Sequence, residues 1–248
     1  SPEERELFSI LLQANSELQL NSTLRVAGGW VRDKVVFDKG EYLQILGMHS
    51  HDIDIAIDNM TGYEFVGTFL RGLPPESDLL CALTGGLQHV KRGEDPCESR
   101  QGGVWHSVSR LAKHLETATI RINDSNIDFV NLRKEEYTDD SRIPSISIGT
   151  PLEDAYRRDL TINSLFYNIN TSTIEDYTMR GVDDLRDRVA RTPLAPLETF
   201  REDPLRLLRT VRFATRYDCR IEPDIMVAAN DPDIELFLSR KVSRERIG

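Results

Sequence analysis

The chain has 248 residues, 39% hydrophobic and 29% charged, with a formal net charge of −10. That composition belongs to a soluble globular protein of one large or two modest domains, with no apolar run near the roughly 20 residues a membrane helix needs. The negative charge argues against a nucleic-acid coat protein, but not against an enzyme whose acidic site binds cations.

Three cysteines (Cys81, Cys97, Cys219) without metal-type spacing point to a reducing, intracellular compartment and no structural zinc. The opening "SPEERELFSI" has neither a secretory core nor an Arg-rich, acid-poor leader, so cytoplasm, nucleus and mitochondrion are not distinguished. His49, His51, His89, His106 and His114 show no ligand spacing and are given no chemistry.

An amphipathic helix is predicted over roughly residues 3–15. "TLRVAGG" follows as a short strand ending in two glycines, and "WVRDKVVFD" has helical spacing. Strand, Gly-Gly, helix is a geometry in which backbone N–H groups face an anion, although Gly28-Gly29 alone is more often an ordinary turn. "HDIDIAI" alternates Asp52 and Asp54 with Ile53, Ile55 and Ile57, so it reads as a strand with both carboxylates on one face. "MTGYEFVGTFLRGL" reads as a helix, and residues 72–109 as a poorly ordered insertion rich in Gly, Pro and Ser. "HLETATIRINDSNIDFVNLR" predicts two strands around the turn residues "NDSN". Residues 134–151 read as a mobile polar loop, "LEDAYRRDLTINSLFYNI" as an amphipathic helix and "TSTIEDYT" as a strand. From about residue 181 the composition turns helical. In "REDPLRLLRTVRFATRYDCRI", Arg206, Arg209, Arg212, Arg216 and Arg220 fall within about 120° of one another at helical pitch. Leu207, Leu208, Val211, Ala214 and Ile221 lie opposite, and the ordinary reading is a surface helix with a solvated basic face.

Two neighbouring carboxylates repel unless something positive sits between them. Hard divalent cations take oxygen ligands, commonly one or two carboxylates plus substrate phosphates. Two such ions can stabilise the attacking and leaving oxygens of an in-line phosphoryl displacement. A lone D-x-D on a strand is weak evidence. Coming after strand, Gly-Gly, helix, it supplies the second half of a nucleoside triphosphate site.

"AGGWVRD", "HDIDIAI", "RRDLTINSLFYNI", "EDPLRLLRTVRFA" and "SRERIG" occur in the order found in class II tRNA nucleotidyltransferases, the CCA-adding enzymes. "DFVNLR" and "SRIP" resemble the eukaryotic, fungal-type branch. The resemblance covers about residues 24–248, apart from the insertions. It implies an α+β fold: a polymerase-β-like catalytic head with a mixed sheet and flanking helices over residues 1–180, then the start of a helical neck over 181–248. Insertions are expected at about 36–49 and 72–109, and a flexible loop at about 134–151 that helps the switch from C to A. The chain ends where the family continues into neck, body and tail.

The implied activity is template-independent addition of C, C and A to the 3′ end of tRNA from CTP and ATP, releasing pyrophosphate. The implied cofactor is two Mg²⁺ ions. Gly28, Gly29, Arg32 and Asp33 correspond to the triphosphate motif, and Asp52 and Asp54 to the catalytic, metal-binding pair. Arg157, Arg158, Asp159 and Asn163 correspond to the ribose motif. Glu202, Asp203 and Arg206 correspond to the base-selecting motif, in which protein side chains stand in for a nucleic-acid template. Arg209 and Arg212 are candidates for further nucleotide or RNA contacts. Asp128 is a candidate third metal ligand on a neighbouring strand, or equally a hairpin residue at a strand end. Asp159 with Asn163, and Asp203 with Arg206, are each expected to share a helix face. The alternatives are a relative adding only CC or only A, a poly(A)-polymerase-like transferase, and a nucleotide-binding segment inactive on tRNA by itself.

Overall fold

The computed structural model describes residues 1–38, 41–45, 52–72, 117–122, 125–138, 141–242 and 244–247. Most of the expected 72–109 insertion, all five histidines, Cys81 and Cys97 lie outside the described residues.

Two compact units interleave along the chain. The first comprises residues 1–33, 46–132 and 167–173. It opens with α1 (Pro2–Glu17), started by a reciprocal capping box between Ser1 and Glu4. Then come β1 (Leu24–Ala27) and the six-residue α2 (Gly29–Lys34). Phe8, Trp30 and Tyr167 form an aromatic triangle with centroids 5.7–5.9 Å apart, and the Trp30 indole N–H donates to Glu4.

"WVRDKVVFD" is not one helix. The β-branched Val35 and Val36 and the aromatic Phe37 favour strand over helix, and β2 (Val35–Asp38) pairs with β3 (Glu41–Ile45) in an antiparallel ribbon. This ribbon occupies much of the expected 36–49 insertion and belongs to the second unit.

β4 (Asp52–Ile57) has the predicted alternation: Ile53, Ile55 and Ile57 are buried and Asp54 is exposed. Next come α3 (Gly62–Gly72), β5 (Ala118–Ile122) and β6 (Ser125–Asn131). β5 and β6 pair antiparallel, as "NDSN" predicts, and β6 lies parallel to β4. Phe65 and Phe69 of α3 stack with each other, and Phe65 with Phe129 of β6. A Cβ on Gly62 would stand 1.9 Å from the Phe129 carbonyl oxygen, so only glycine allows α3 this close to the sheet.

The second unit contains the largest departures. Residues 134–151, expected as a loop, are mostly the antiparallel pair β7 (Arg133–Thr138) and β8 (Ser141–Ile148). "LEDAYRRDLTINSLFYNI" is not a single helix. Helix α4 (Pro151–Tyr156) is capped by Thr150 and Glu153, and Arg157 is its C-cap. Leu160 is extended (φ −135°, ψ 147°), Thr161–Asn163 make one 3₁₀ turn, and β9 (Phe166–Asn168) follows. With β10 (Thr173–Glu175), the main sheet runs β10-β9-β1-β4-β6-β5.

Helix α5 (Gly181–Arg186) and β11 (Val189–Ala190) lead to α6 (Pro196–Glu202) and α7 (Leu205–Tyr217). The expected continuous basic helix is broken at Asp203 (φ −138°, ψ 103°), because a residue before proline is pushed out of the helical region. Arg220 falls on β12 (Arg220–Ile221), not on the helix. The expected faces shift as well: α7 buries Arg206, Thr210, Phe213 and Ala214, while Val211 is exposed. Phe213 and Ala214 pack with Leu160, Ile162 and Ala190. Helices α8 (Pro223–Ala229) and α9 (Pro232–Lys241) build a second cluster with Phe200.

Candidate active site

In the first unit, β1 runs antiparallel to β4 with Val26 opposite Ile55. That register brings Gly28 and Gly29, just past the end of β1, beside the start of β4. Gly28 has a φ of 66°, a conformation L side chains rarely adopt, and its carbonyl accepts from the Arg32 backbone N–H at 3.1 Å. The Arg32 side chain is buried and donates through Nε to Asp33 Oδ1 at 2.8 Å, so these two predicted residues form one ion pair.

Asp52 begins β4, with Asn126 as its register partner. Asp54 stands opposite Asp128 in the parallel register, and Asp128 is opposite Thr119 of β5. Of the two readings of Asp128, the strand-end one is excluded: the residue is in the middle of β6. It is half-buried, and Thr119 Oγ1 donates to its Oδ1 at 2.5 Å. Neighbouring strands are about 4.8 Å apart, so Asp54 and Asp128 are adjacent on one face. An exposed carboxylate beside a second one, one of whose oxygens accepts from a hydroxyl, is an all-oxygen donor set. It suits a hard divalent cation.

The second unit holds the ribose and base candidates. Asp154, which the sequence reading did not single out, is almost fully buried. Its Oδ1 accepts from Arg157 Nε and Nη2 at 2.9 and 2.7 Å and from the Arg133 backbone N–H. Its Oδ2 accepts from Arg158 Nε and Nη2 at 3.0 and 2.8 Å. Burial pushes the Asp154 carboxyl up, but the two guanidiniums outweigh it and hold it below the ordinary range. The tandem arginines therefore do not open a helix against its dipole. They stand at and just past the C-terminus of α4, where positive charge is favoured.

Asp159 is buried and lies in the non-helical connection between α4 and the 3₁₀ turn. Its Oδ1 accepts from the Leu160 N–H and from Asn163 Nδ2, both at 2.9 Å, and its Oδ2 accepts from Arg209 Nε at 2.7 Å. The expected Asp159–Asn163 partnership is thus present, built by a direct hydrogen bond rather than a shared α-helical face.

Asp203 and Arg206 do not share a helix either. Asp203 is the C-cap of α6, and its Oδ1 accepts from the Leu205 N–H at 3.1 Å. Arg206 is 6% exposed and donates to Glu202 Oε2 at 2.6 Å and to the Tyr137 hydroxyl at 3.0 Å. Its guanidinium lies over the Tyr137 ring at 5.5 Å, and Glu135 Oε2 is 3.7 Å from its Nη2. Tyr137 donates to Glu135 Oε2 at 2.6 Å, and Arg157 Nη1 donates to Glu135 Oε1 at 2.7 Å. Glu135 therefore bridges the ribose and base candidates. Burial pushes the Glu202 carboxyl up against the opposing pull of Arg206. Arg209 and Arg212 flank the Phe213 ring, at 5.2 and 5.0 Å, and Arg212 is exposed.

Sequence reasoning missed Asp154, Glu135 and Tyr137. Asp154 was within reach, since its i+3 and i+4 spacing to Arg157 and Arg158 is that of helical ion pairs.

Residues 82–191 match the poly A polymerase head domain family, a match that begins inside the segment read as an insertion. A mitochondrial CCA tRNA nucleotidyltransferase of Candida glabrata is 47% identical over 233 residues, 91% of this chain and 38% of that protein. Its counterpart in Saccharomyces cerevisiae is 43% identical over 232 residues, 91% of this chain and 37% of that protein. Over most of its own length the chain is similar to these tRNA nucleotidyltransferases. The solved structure of a CCA-adding enzyme in an apo form superposes with a TM-score of 0.68 at 25% identity, covering 100% of this chain and 48% of that one. The chain thus spans about two fifths of the length of these curated relatives and about half of the solved structure. The likeness to that solved structure accords with an α+β chain with a mixed sheet. Among the described residues no helix is long and apolar enough to cross a membrane.

Proposed function

We propose that this chain is the catalytic head (residues 1–180) and the beginning of the nucleotide-selecting neck (181–248) of an enzyme that adds C, C and A to tRNA 3′ ends. CTP and ATP are the substrates and pyrophosphate leaves. The observation that carries the reading is the Asp54–Asp128 pair beside the Gly28-Gly29 end of β1. Asp52, Asp54 and Asp128 hold divalent cations, two Mg²⁺ ions. The chemistry such ions supply when bound is a lowered pKa for the tRNA 3′-hydroxyl and charge compensation for the leaving pyrophosphate.

The remaining roles belong to this chain's own groups. Gly28 and Gly29 let backbone approach the triphosphate, and Arg32, oriented by Asp33, binds it. Asp159 and Asn163 receive the ribose, with Arg157 and Arg158 held beside them by Asp154. Asp203 and Arg206 meet the Watson–Crick edge, with Glu202 fixing Arg206. A carboxylate accepts from the exocyclic amine that C and A share, and a guanidinium offers a fork of donors to ring nitrogens and carbonyl.

The test is incorporation of labelled CTP and ATP by the full-length protein into tRNA ending at the discriminator base, at C and at CC. Addition to all three supports CCA synthesis. CTP alone on the first two, or ATP alone on the third, indicates a split-function enzyme. Indefinite ATP addition indicates a poly(A)-polymerase-like transferase. Binding of nucleotide without incorporation overturns the catalytic reading.

A further inference from the structure

Arg209 is three residues beyond Arg206 on α7, yet its guanidinium does not join the Arg206 network. It leaves the helix toward Asp159 and donates through Nε to Oδ2 at 2.7 Å, across fifty residues of sequence. The guanidinium lies 5.2 Å from the centre of the Phe213 ring. Phe213 and Leu160, the residue after Asp159, belong to the same apolar cluster. One end of the ion pair is therefore fixed by an aromatic face on the same helix. The other end is fixed by the packing of the segment that carries the carboxylate.

A carboxylate such as that of Asp159 has about four acceptor sites. The Leu160 N–H and Asn163 Nδ2 use Oδ1, and Arg209 Nε uses one site of Oδ2. Among the described residues, one site of Oδ2 is left, beside the Arg209 contact. That number suits a single donor, such as one sugar hydroxyl. Without Arg209, the Leu160 N–H and Asn163 still hold Oδ1, but the Oδ2 end loses its charged donor and can swing about the held oxygen through coupled side-chain torsions. A buried carboxylate (5% exposed as a side chain) would also lose a counter-charge.

We propose that Arg209 is a positioning residue for sugar recognition: it holds Asp159 Oδ2 in the orientation that accepts the ribose 2′-hydroxyl. It thereby fastens the ribose-reading segment to the helix that carries Arg206. The inference rests on the ribose reading of Asp159 and Asn163 given above. It replaces the expectation that Arg209 touches nucleotide or RNA directly. A site organised to hydrogen-bond a hydroxyl strongly rejects the analogue lacking it, and that rejection is the property that loosening Asp159 degrades.

The experiment measures kcat/KM for CTP against dCTP and for CTP against UTP, with the full-length protein on tRNA ending at the discriminator base. The variants are Arg209→Ala, Arg209→Lys, Asp159→Ala and the double variant Arg209→Ala with Asp159→Ala. Arg209→Ala is expected to lower the CTP/dCTP ratio about tenfold by raising KM for CTP far more than for dCTP, while the CTP/UTP ratio stays unchanged. Lysine, which keeps the charge without the fork, is expected to restore part of the ratio. The double variant is expected to match Asp159→Ala, since Arg209 acts through that carboxylate. Parallel increases in KM for CTP and dCTP would make Arg209 a direct phosphate or RNA contact and overturn the proposal. If Asp159→Ala collapses the ribose ratio and neither Arg209 variant moves it, the proposal fails while the ribose reading stands. If Asp159→Ala itself leaves the ratio unchanged, both fail. Should Arg209→Ala not fold, the lysine variant carries the same comparison: an unchanged CTP/dCTP ratio there overturns the proposal.

Discussion

Asp54 on β4 and Asp128 on β6 are register partners in a parallel pair, two carboxylates side by side on one face of the sheet. Such a pair is unfavourable in the free protein and becomes favourable once a cation is shared. Asp54→Ala is therefore expected to lower nucleotide incorporation by about 10³-fold or more, at about 1.4 kcal/mol per decade. Asp128→Asn is expected to raise the Mg²⁺ concentration needed for half-maximal activity. Both are expected to raise the melting temperature slightly without metal and to lose the Mg²⁺-induced increase of the parent protein. Near-normal incorporation by Asp54→Ala would remove this pair from catalysis.

The close approach of α3 to β6 gives a separate handle on the same strand. Replacing Gly62 by Ala puts a methyl group into the Phe129 carbonyl, the residue next to Asp128. Helix or strand has to move, at about 2–3 kcal/mol for an overpacked contact. Denaturant unfolding should report that loss. Metal titration should show a raised Mg²⁺ requirement if the shift reaches Asp128. An unchanged unfolding midpoint would mean that the contact relaxes at no cost.

What the sequence reveals depends on which side of an element is apolar. β4 could be read because Ile53, Ile55 and Ile57 are buried against aspartates, and α3 because Thr61 and Glu64 make a capping box ahead of an apolar run. β7 could not be read, because Glu135 and Tyr137 are its half-buried alternate residues, and a polar inward face has no hydrophobic period. The end of α4 escaped for a related reason. Ala155, Ile162, Leu165, Phe166 and Ile169 keep a helix-like apolar spacing, while the Asp154 clamp on both arginines and the caps of Asp159 on Leu160 and Asn163 stop the helix. Pro204 did carry the signal for the α6–α7 break, which the arginine periodicity overrode. The motif residues themselves were legible. Of their supports, Asp154 was within reach through its local spacing to Arg157 and Arg158, whereas Glu135 and Tyr137 were not, because their contacts to Arg157 and Arg206 join distant segments.

Asp154 ties the ribose motif to stability. Its carboxyl is held below the ordinary range in the folded state, so the stabilisation it gives is fully present above the unfolded value of about 3.9. It is lost as pH falls through the lower folded value. Asp154→Asn, which leaves two guanidiniums facing each other, is expected to cost about 3 kcal/mol at pH 7. The gap between variant and parent should narrow as pH falls below the unfolded value of about 3.9 and close as it passes through the lower folded value. Urea unfolding midpoints across that range test this. A gap independent of pH would mean that shape, not charge, is what Asp154 contributes.

Base selection gives the most specific test. Arg206 is buried between Glu202, Tyr137 and Glu135, so its guanidinium is oriented before any nucleotide arrives. If Arg206 reads a Watson–Crick edge together with Asp203, removing it takes away a donor fork and leaves the half-buried Glu202 without that partner. Two effects are expected. Stability should fall by about 1–3 kcal/mol, the cost of leaving a partly desolvated charge unpaired. Selection should also change: Arg206→Ala should weaken the preference for CTP and ATP over UTP and GTP, because a site built around hydrogen bonds loses discrimination when one partner goes. Arg206→Lys is expected to recover part of the stability, since the charge opposite Glu202 remains. It should recover little of the selection, since one ammonium cannot present two parallel donors. Relative incorporation of all four nucleotides onto tRNA ending in C and in CC, alongside unfolding midpoints, separates these roles. A uniform loss over the four nucleotides with the CTP and ATP preference intact would make Arg206 a structural tie to Tyr137 and Glu202, and base selection would then have to come from elsewhere on the protein.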